Sequence, residues 1–371
     1  LNKAYKFRLY PNKEQREFFA KTFGCCRFIY NKMLEDKIKH YELTKKMLRN
    51  TPAMYKNRYE WLKEVDSLAL ANVQLHLEKA YKNFFRDKKV GFPKFKSKRN
   101  HHQSYTTNNQ RGTIHIKDGF IKVPKLKSTI KIIQHREIGQ SEQIKSATIS
   151  QTPTGKYYVS ILVNYHKEEK EVIEEIKEFD PSKVIGLDYS MKELYVNSRG
   201  EHAGYPRYYR QSLKQLKRAG RKLSLCKKGS NNYNKQRLRV ARLHEKIADQ
   251  RKDFLHKQSR QITNDYEIVV VESLDLKAMS KTLKLGMSIA DNGYGRFVEY
   301  LSYKLRDEGK VLVRVDKWYA SSKICSCCGK KKEELPLSER VFSCECGNTI
   351  NRDVNAGINI KNEGIRLLKA Q

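Results

Sequence analysis

Apolar residues along the chain change their spacing from stretch to stretch, and each change marks a predicted element. Residues 3–10, KAYKFRLY, alternate as a half-buried strand does and stop at Pro11. Phe19, Phe23, Cys26, Tyr30, Met33, Leu34 and Ile38 then recur every three to four positions, one stripe along a helix. Asp66 and Ser67 supply cap chemistry for a second helix, with Leu70, Val73, Leu77, Tyr81 and Phe84 on its buried face. From 90 to 167 the spacing falls to two, in short runs broken by turn residues: GTIHIKDGFIKV, STIKIIQ and SATISQTPTGKYYVSILVNYH. These runs predict a small β-barrel or sandwich, completed by the N-terminal strand and interrupted by the helices.

The second half reads differently. KEEKEVIEEIKEFD, at 167–180, is an acidic linker in an otherwise basic chain. VIGLD and ELYVN follow as two apolar runs joined as a hairpin would be. Residues 211–263 predict a helical hairpin that turns at KKGSNN (227–232). Leu213, Leu216, Leu223, Leu238, Ile247 and Leu255 form its packing stripe, and Lys and Arg crowd its other faces. IVVVE (268–272) and VLVRVD (311–316) are strands separated by a helical stretch at 293–309, and a last helix begins near 353. Strands alternating with helices predict an α/β domain with parallel pairing.

Charge narrows the class of partner. Lys and Arg number 76 against 41 Asp and Glu, a formal net charge of +35 over 371 residues. Nucleic-acid phosphate is the usual counterpart of such an excess; the bland alternative is a solvated basic surface, as on ribosomal proteins. Basic residues recur through 82–99, 207–260 and 317–332 among Tyr, Phe and Trp that can stack on bases, which favours the first reading. A hydrophobic fraction of 39% excludes a disordered polycation, and 8 Pro with 19 Gly exclude collagen-like repeats. No apolar run approaches the roughly 20 residues of a membrane helix. The N-terminal LNKAYKFRLYPNKEQ lacks the apolar core of a signal peptide, so a soluble, intracellular chain is expected.

Two constellations carry chemistry. Eight cysteines stand at 25, 26, 226, 325, 327, 328, 344 and 346, and five of them fall within CSCCG (325–329) and CECG (344–347). Crowding of this kind points to a metal rather than a disulfide framework. Cys325, Cys328, Cys344 and Cys346 would close a tetrahedral zinc site, with Gly329 and Gly347 letting the backbone turn around the ion. The second knuckle is C-x-C, one residue shorter than usual, so Cys327 remains an alternative to Cys328. The other constellation is acidic. Asp188 ends VIGLD, Glu272 ends IVVVE, and Asp353 sits where the last helix begins. A carboxylate at the tip of a buried strand needs a reason. Three converging at one sheet edge could hold a pair of Mg²⁺ ions, as two-metal phosphodiester chemistry requires.

GLDYSMKELYVNS, VVVESLDLKAMS, the CSCCG–CECG ribbon and NRDVNAGINI, in this order, resemble TnpB proteins. These are transposon-encoded RNA-guided nucleases of IS200/IS605-type elements, related to type V CRISPR effectors. KAYKFRLYPNKEQ, FGCCRFIYN, GFPKFKSK and RLRVARLHEKIADQRKDFLHK extend the resemblance over nearly the whole chain. The departures are the short second knuckle and NRD where the family often has DRD, which leaves the catalytic carboxylate untouched.

The resemblance implies an α/β RNase H-like (RuvC) nuclease domain at 181–371, with the helical hairpin 211–263 and a zinc ribbon 318–350 inserted. A wedge-like β-barrel at 1–10 and 90–167 would carry a helical recognition insertion at 11–89, with a linker at 168–180. The implied activity is RNA-guided cutting of double-stranded DNA beside a short target-adjacent motif. Asp188, Glu272 and Asp353 would bind catalytic Mg²⁺ or Mn²⁺, and the cysteines structural Zn²⁺. A guide RNA would supply sequence by pairing, in the cytoplasm of a prokaryote, at its nucleoid. Within KFKSKRNHHQSYTT (94–107), Lys94, Lys96, Lys98, Arg99, Tyr105, Thr106 and Thr107 are the candidate motif readers. The rivals are a compact type V CRISPR effector and a nuclease-inactive RNA-guided repressor; the latter would be expected to lack one of the carboxylates.

Overall fold

KAYKFRLY folds into β1 (Asn2–Tyr10), with Tyr5, Phe7 and Leu9 turned into the core. Asn12 then starts α1 (Lys13–Thr44) with a capping box: Gln15 N donates to Asn12 Oδ1 and Asn12 N to Gln15 Oε1, both at 2.9 Å. α2 (Ser67–Arg86) opens as its sequence predicts, with the Asp66 carboxylate accepting from Leu68 N and Ala69 N. The computed structural model describes residues 2–99, 101–139, 142–164, 179–282, 285–336 and 338–370. The chain divides into two units, Leu1–Glu168 and Glu169–Gln371.

In the first unit β2 (Gln103–Asn108), β3 (His115–Lys117), β4 (Phe120–Lys122), β5 (Ile130–Ile133), β6 (Gln143–Gln151) and β7 (Tyr157–Asn164) join β1 in one sheet. Its order is β2-β6-β7-β1-β5-β4-β3, and every pairing is antiparallel. The first strand of the chain thus fills the middle of a sheet whose other strands come more than 90 residues later. Among the described residues the pairing runs from edge strand β2 to edge strand β3 and does not close on itself. The apolar stripes of α1 and α2 share one core with the sheet, through Phe19, Phe23, Met33, Leu70 and Leu77. Residues 103–108, which overlap the candidate motif-reading segment, are strand β2, and Tyr105 and Thr107 are its buried positions.

The second unit holds β8 (Val184–Ser190) and β9 (Leu194–Asn197), the expected hairpin. The helical hairpin follows as α3 (Tyr208–Ser224) and α4 (Asn231–Asp265). Next come β10 (Ile268–Glu272), the short α5 (Leu276–Thr282) and α6 (Gly286–Asn292), α7 (Tyr294–Asp307) and β11 (Val311–Val315). β12 (Val341–Ser343), β13 (Thr349–Asn351) and α8 (Arg352–Lys369) complete the chain. The sheet order is β11-β10-β8-β9, parallel except for β9. Residues 168–178 of the acidic linker lie outside the described residues.

VIGLD and IVVVE are continuous apolar runs because helices cover both faces of this sheet. Ile185, Leu187, Val269 and Val271 pack on the side of Leu255 from α4 and Phe297 and Leu301 from α7. Val184, Ile268, Val270 and Val315 pack on the opposite side with Ile360 of α8. α8 approaches that side closely enough to require glycine. A Cβ on Gly186 would stand 2.2 Å from Gly357 O and 2.6 Å from Lys361 N, and one on Gly364 2.4 Å from a Val270 methyl. The glycine of VIGLD thus lies against the backbone of the NAGINI glycine, whose own missing Cβ faces the backbone of Asn197 and Ser198.

Candidate active site

Side chains alternate along a strand, so parity fixes where Asp188 and Glu272 point. Asp188 shares the parity of Val184 and Gly186, and Glu272 that of Ile268 and Val270; all four of those residues face α8. The parallel register pairs Leu187 with Val271, so the next step sets Asp188 beside Glu272 at the carboxyl ends of both strands. α8 begins over the same edge. Asn351 caps it, its Oδ1 accepting from Asp353 N at 2.9 Å and Val354 N at 3.3 Å, which puts Asp353 in the first turn. The Gly186–Gly357 contact holds that helix end against the sheet.

Two of the carboxylates act on the third. The Asp188 carboxyl is pushed well above its usual range, first by burial and then by the negative charges of Glu272 and Asp353; Arg352 offsets only part of this. Burial also raises Glu272, against a lowering hydrogen bond from Ser321. Asp188 and Glu272, desolvated at one sheet edge, offer the oxygen atoms that hard cations take as ligands. The carboxylates are spaced more widely than the cysteines. Among the described residues the cysteine set alone brings three or more ligand atoms all within 4.8 Å of one another.

That set is Cys325, Cys328, Cys344 and Cys346. Sγ of Cys325 lies 3.6 Å from that of Cys346, and Cys328 the same distance from Cys344. Four sulfurs around a zinc ion at its usual bond length stand about 3.8 Å apart, so the cluster is the right size. Each knuckle closes through its glycine in the left-handed region: Gly329 (φ +77°) donates to Cys325 O and Gly347 (φ +88°) to Cys344 O, both at 2.9 Å. The short C-x-C knuckle therefore still delivers both sulfurs. Of the two alternatives left open by the sequence, Cys328 belongs to the set and Cys327 does not; both are exposed. Against the upward push of burial, hydrogen bonds from the Cys328 backbone and the Asn348 side chain bring the Cys325 thiol down to about 6, toward the thiolate a metal needs.

The candidate motif readers separate. Tyr105 is buried, its ring 5.7 Å edge-on from Phe23, and Thr107 is buried with its hydroxyl on Asp66. Both are packed into the interior of the first unit. Lys94, Lys96, Lys98 and Arg99 are exposed, and Thr106 is half-buried. Lys96 and Thr106 line a cleft of about 480 Å³ with Arg27, His76, Phe95 and Ser104. Sequence reasoning missed Arg27 and His76, which belong to α1 and α2, and it missed Ser321, Asn355 and Asn359 around the acidic group. The one signal for the asparagines was their spacing of four on an otherwise apolar helix face.

Comparison with known proteins matches family models along the chain. Residues 160–283 match a family described as "Probable transposase" (OrfB_IS605), and residues 294–360 one described as "Cas12f1-like, TNB domain". Residues 1–46 match a "Helix-turn-helix domain", although here they form β1 and the single long helix α1. The "Putative RNA-guided DNA endonuclease" of Streptomyces pristinaespiralis is 32% identical over 98% of this chain and 90% of its own length. The "Putative RNA-guided DNA endonuclease InsQ" of Escherichia coli (strain K12) is 31% identical over 98% of this chain and 93% of its own. A "Cryo-EM structure of the Cas12f1-sgRNA-target DNA complex" contains a chain of similar fold, with a TM-score of 0.58 at 16% identity, covering 95% of this chain and 83% of that one. The fold of the second unit is thus RuvC-like, with a zinc-ribbon-like cysteine cluster inserted. Identity near one third, sustained from end to end, settles the relationship that the motif order suggested: the chain belongs to the TnpB family.

Proposed function

We propose that this protein is an RNA-guided DNA endonuclease that cuts double-stranded DNA beside a short target-adjacent motif. One observation carries the catalytic part: Asp188 and Glu272 end adjacent strands on the face where α8 begins with Asp353, and the charges of the other two act on Asp188. These residues fit Mg²⁺ or Mn²⁺, which when bound would activate a water and stabilise the leaving 3′ oxygen. The chain's part is to hold the three carboxylates on rigid elements, where burial and mutual repulsion favour the protonated acid until a cation binds. No protein nucleophile is required.

The remaining features support partners and a second metal. Cys325, Cys328, Cys344 and Cys346 would hold structural Zn²⁺, with no open position for chemistry. The net charge of +35 suits a guide RNA and its DNA heteroduplex, which the protein would grip by backbone and shape while pairing reads sequence. The sheet of the first unit, with α1 and α2, answers to the wedge and recognition parts. Its cleft at Lys96 and Thr106, flanked by Lys94, Lys98 and Arg99, is the proposed motif reader. The relatives' names and the soluble composition favour a prokaryotic cytoplasm. A compact type V CRISPR effector shares this core, and the genomic neighbourhood distinguishes it. The grouped carboxylates speak against a nuclease-inactive repressor.

Asp188→Ala tests the reading, because metal ligation is not the source of nucleic-acid affinity. Guide-dependent DNA binding should persist while cleavage disappears. Wild-type Mg²⁺-dependent cutting by that variant would remove Asp188 from the site.

A further inference from the structure

The Glu272 carboxylate meets one hydroxyl, that of Ser321, which donates to Oε1. Ser321 lies 49 residues away in sequence, between β11 and the first cysteine knuckle, and is 6% exposed. Its own place is secured from α8. Asn359 Nδ2 donates to Ser321 O at 2.7 Å and to Ile324 O at 2.6 Å. One turn earlier, Asn355 Nδ2 donates to Ile324 O at 2.7 Å, while Asn355 Oδ1 accepts from Ser326 N at 2.9 Å. Both asparagines are buried, at 0% and 3% exposure. On the ribbon side Asn348 Nδ2 reaches Cys325 Sγ at 3.4 Å. A continuous set of hydrogen bonds therefore joins Glu272, the helix that carries Asp353, and the first cysteine knuckle.

Buried asparagines are costly unless fully bonded, so a helix that places two of them against a loop gains definition of that loop. What the loop presents is one hydroxyl. The last torsion of a glutamate side chain is broad and two-fold, so the strand alone leaves the plane of the carboxylate loosely set. A donor on Oε1 fixes that plane and directs Oε2 to the remaining partner. We infer that Ser321 is a positioning residue for the catalytic metal site, orienting Glu272, and that Asn355 and Asn359 lock Ser321 in place. This rests on the reading of Glu272 as a metal ligand.

Three variants at one position isolate the hydroxyl. Ser321→Thr keeps it, Ser321→Val has the shape of threonine without it, and Ser321→Ala removes it without adding bulk. On guide-loaded protein without DNA, Mn²⁺ binding is read by electron paramagnetic resonance, with zinc content measured in parallel. Loss of an outer-shell partner weakens metal binding on the order of 10-fold. The Val and Ala variants should therefore bind Mn²⁺ about that much more weakly and need correspondingly more Mg²⁺ to cut. Zinc content and guide-dependent DNA binding should stay unchanged, and Thr should restore Mn²⁺ affinity. Equal Mn²⁺ affinity in the Thr and Val variants, or wild-type affinity in the Ala variant, would overturn the assignment. Glu272→Gln separates the two layers. If it cuts at the wild-type rate, the active-site reading itself fails. If it is inactive while Val matches Thr, the role of Ser321 alone fails.

Discussion

At Asp188 folding and chemistry pull in opposite directions. Its carboxyl is pushed well above the usual 3.8 by burial and by two neighbouring acids. The folded, metal-free protein therefore holds a proton that the unfolded chain releases, over the window from about 3.8 up to the raised value. In that window stability falls as pH rises. The metal-free protein should melt progressively lower with rising pH, and Mg²⁺ should raise its melting temperature more at pH 8 than at pH 5, because ligands bind deprotonated. Asp188→Asn should lack this part of the pH dependence and melt above wild type without metal at pH 8. Thermal melting with and without Mg²⁺ checks both; identical pH profiles for the two proteins would refute the electrostatic account. At the proposed motif reader, Thr106→Ala should alter flank preference in a randomised-flank cleavage assay, whereas Tyr105→Ala should cost about 3–5 kcal/mol of stability through lost packing.

Elements position these residues by contacts that leave little tolerance. A Cβ at Gly186 meets backbone atoms of α8, which cannot rotate away as a side chain can. Gly186→Ala should cost about 3 kcal/mol or more and displace Asp353 from Asp188. Gly24, inside α1, is the control: nothing lies within 4 Å of its added Cβ, so Gly24→Ala should stabilise by about 0.5–1 kcal/mol. Denaturant unfolding measures both, and a tolerated alanine at 186 would contradict the close packing. The ribbon is an element of another kind, closed by sulfur. Cys328→Ser should lose close to one zinc per chain by elemental analysis and lower cutting that added Mg²⁺ does not rescue. Active protein purified without zinc would sink that account of the cluster.

Strand-end carboxylates and the cysteine spacing were legible because each is written into a few consecutive residues. So were α4, α7 and the β8–β9 hairpin, whose periodicity is strong. β2 was not, because QSYTTN offers polar residues at inward positions, and only the partner Asp66 and the rings of Phe19 and Phe23 explain why Tyr105 and Thr107 turn in. Ser321 escaped notice for a related reason: its meaning lies in hydrogen bonds spanning 38 and 49 residues, which no local pattern encodes. At the scale of the molecule, charge was the plainest signal. A net +35 should make RNA copurify with the protein, and guide affinity should fall steeply and linearly with salt on logarithmic axes.

The most direct measurement joins charge, guide and carboxylates in one reaction. RNA that copurifies with the protein is sequenced, and its variable segment is replaced by one of chosen sequence. Two DNA duplexes with the same randomised flank, one matching the new segment and one not, are then offered with Mg²⁺. The account predicts cutting of the matched duplex alone, enriched for one short flanking motif, and none with Asp188→Ala. Equal cutting of both duplexes, or cutting that does not follow the exchanged segment, would contradict it.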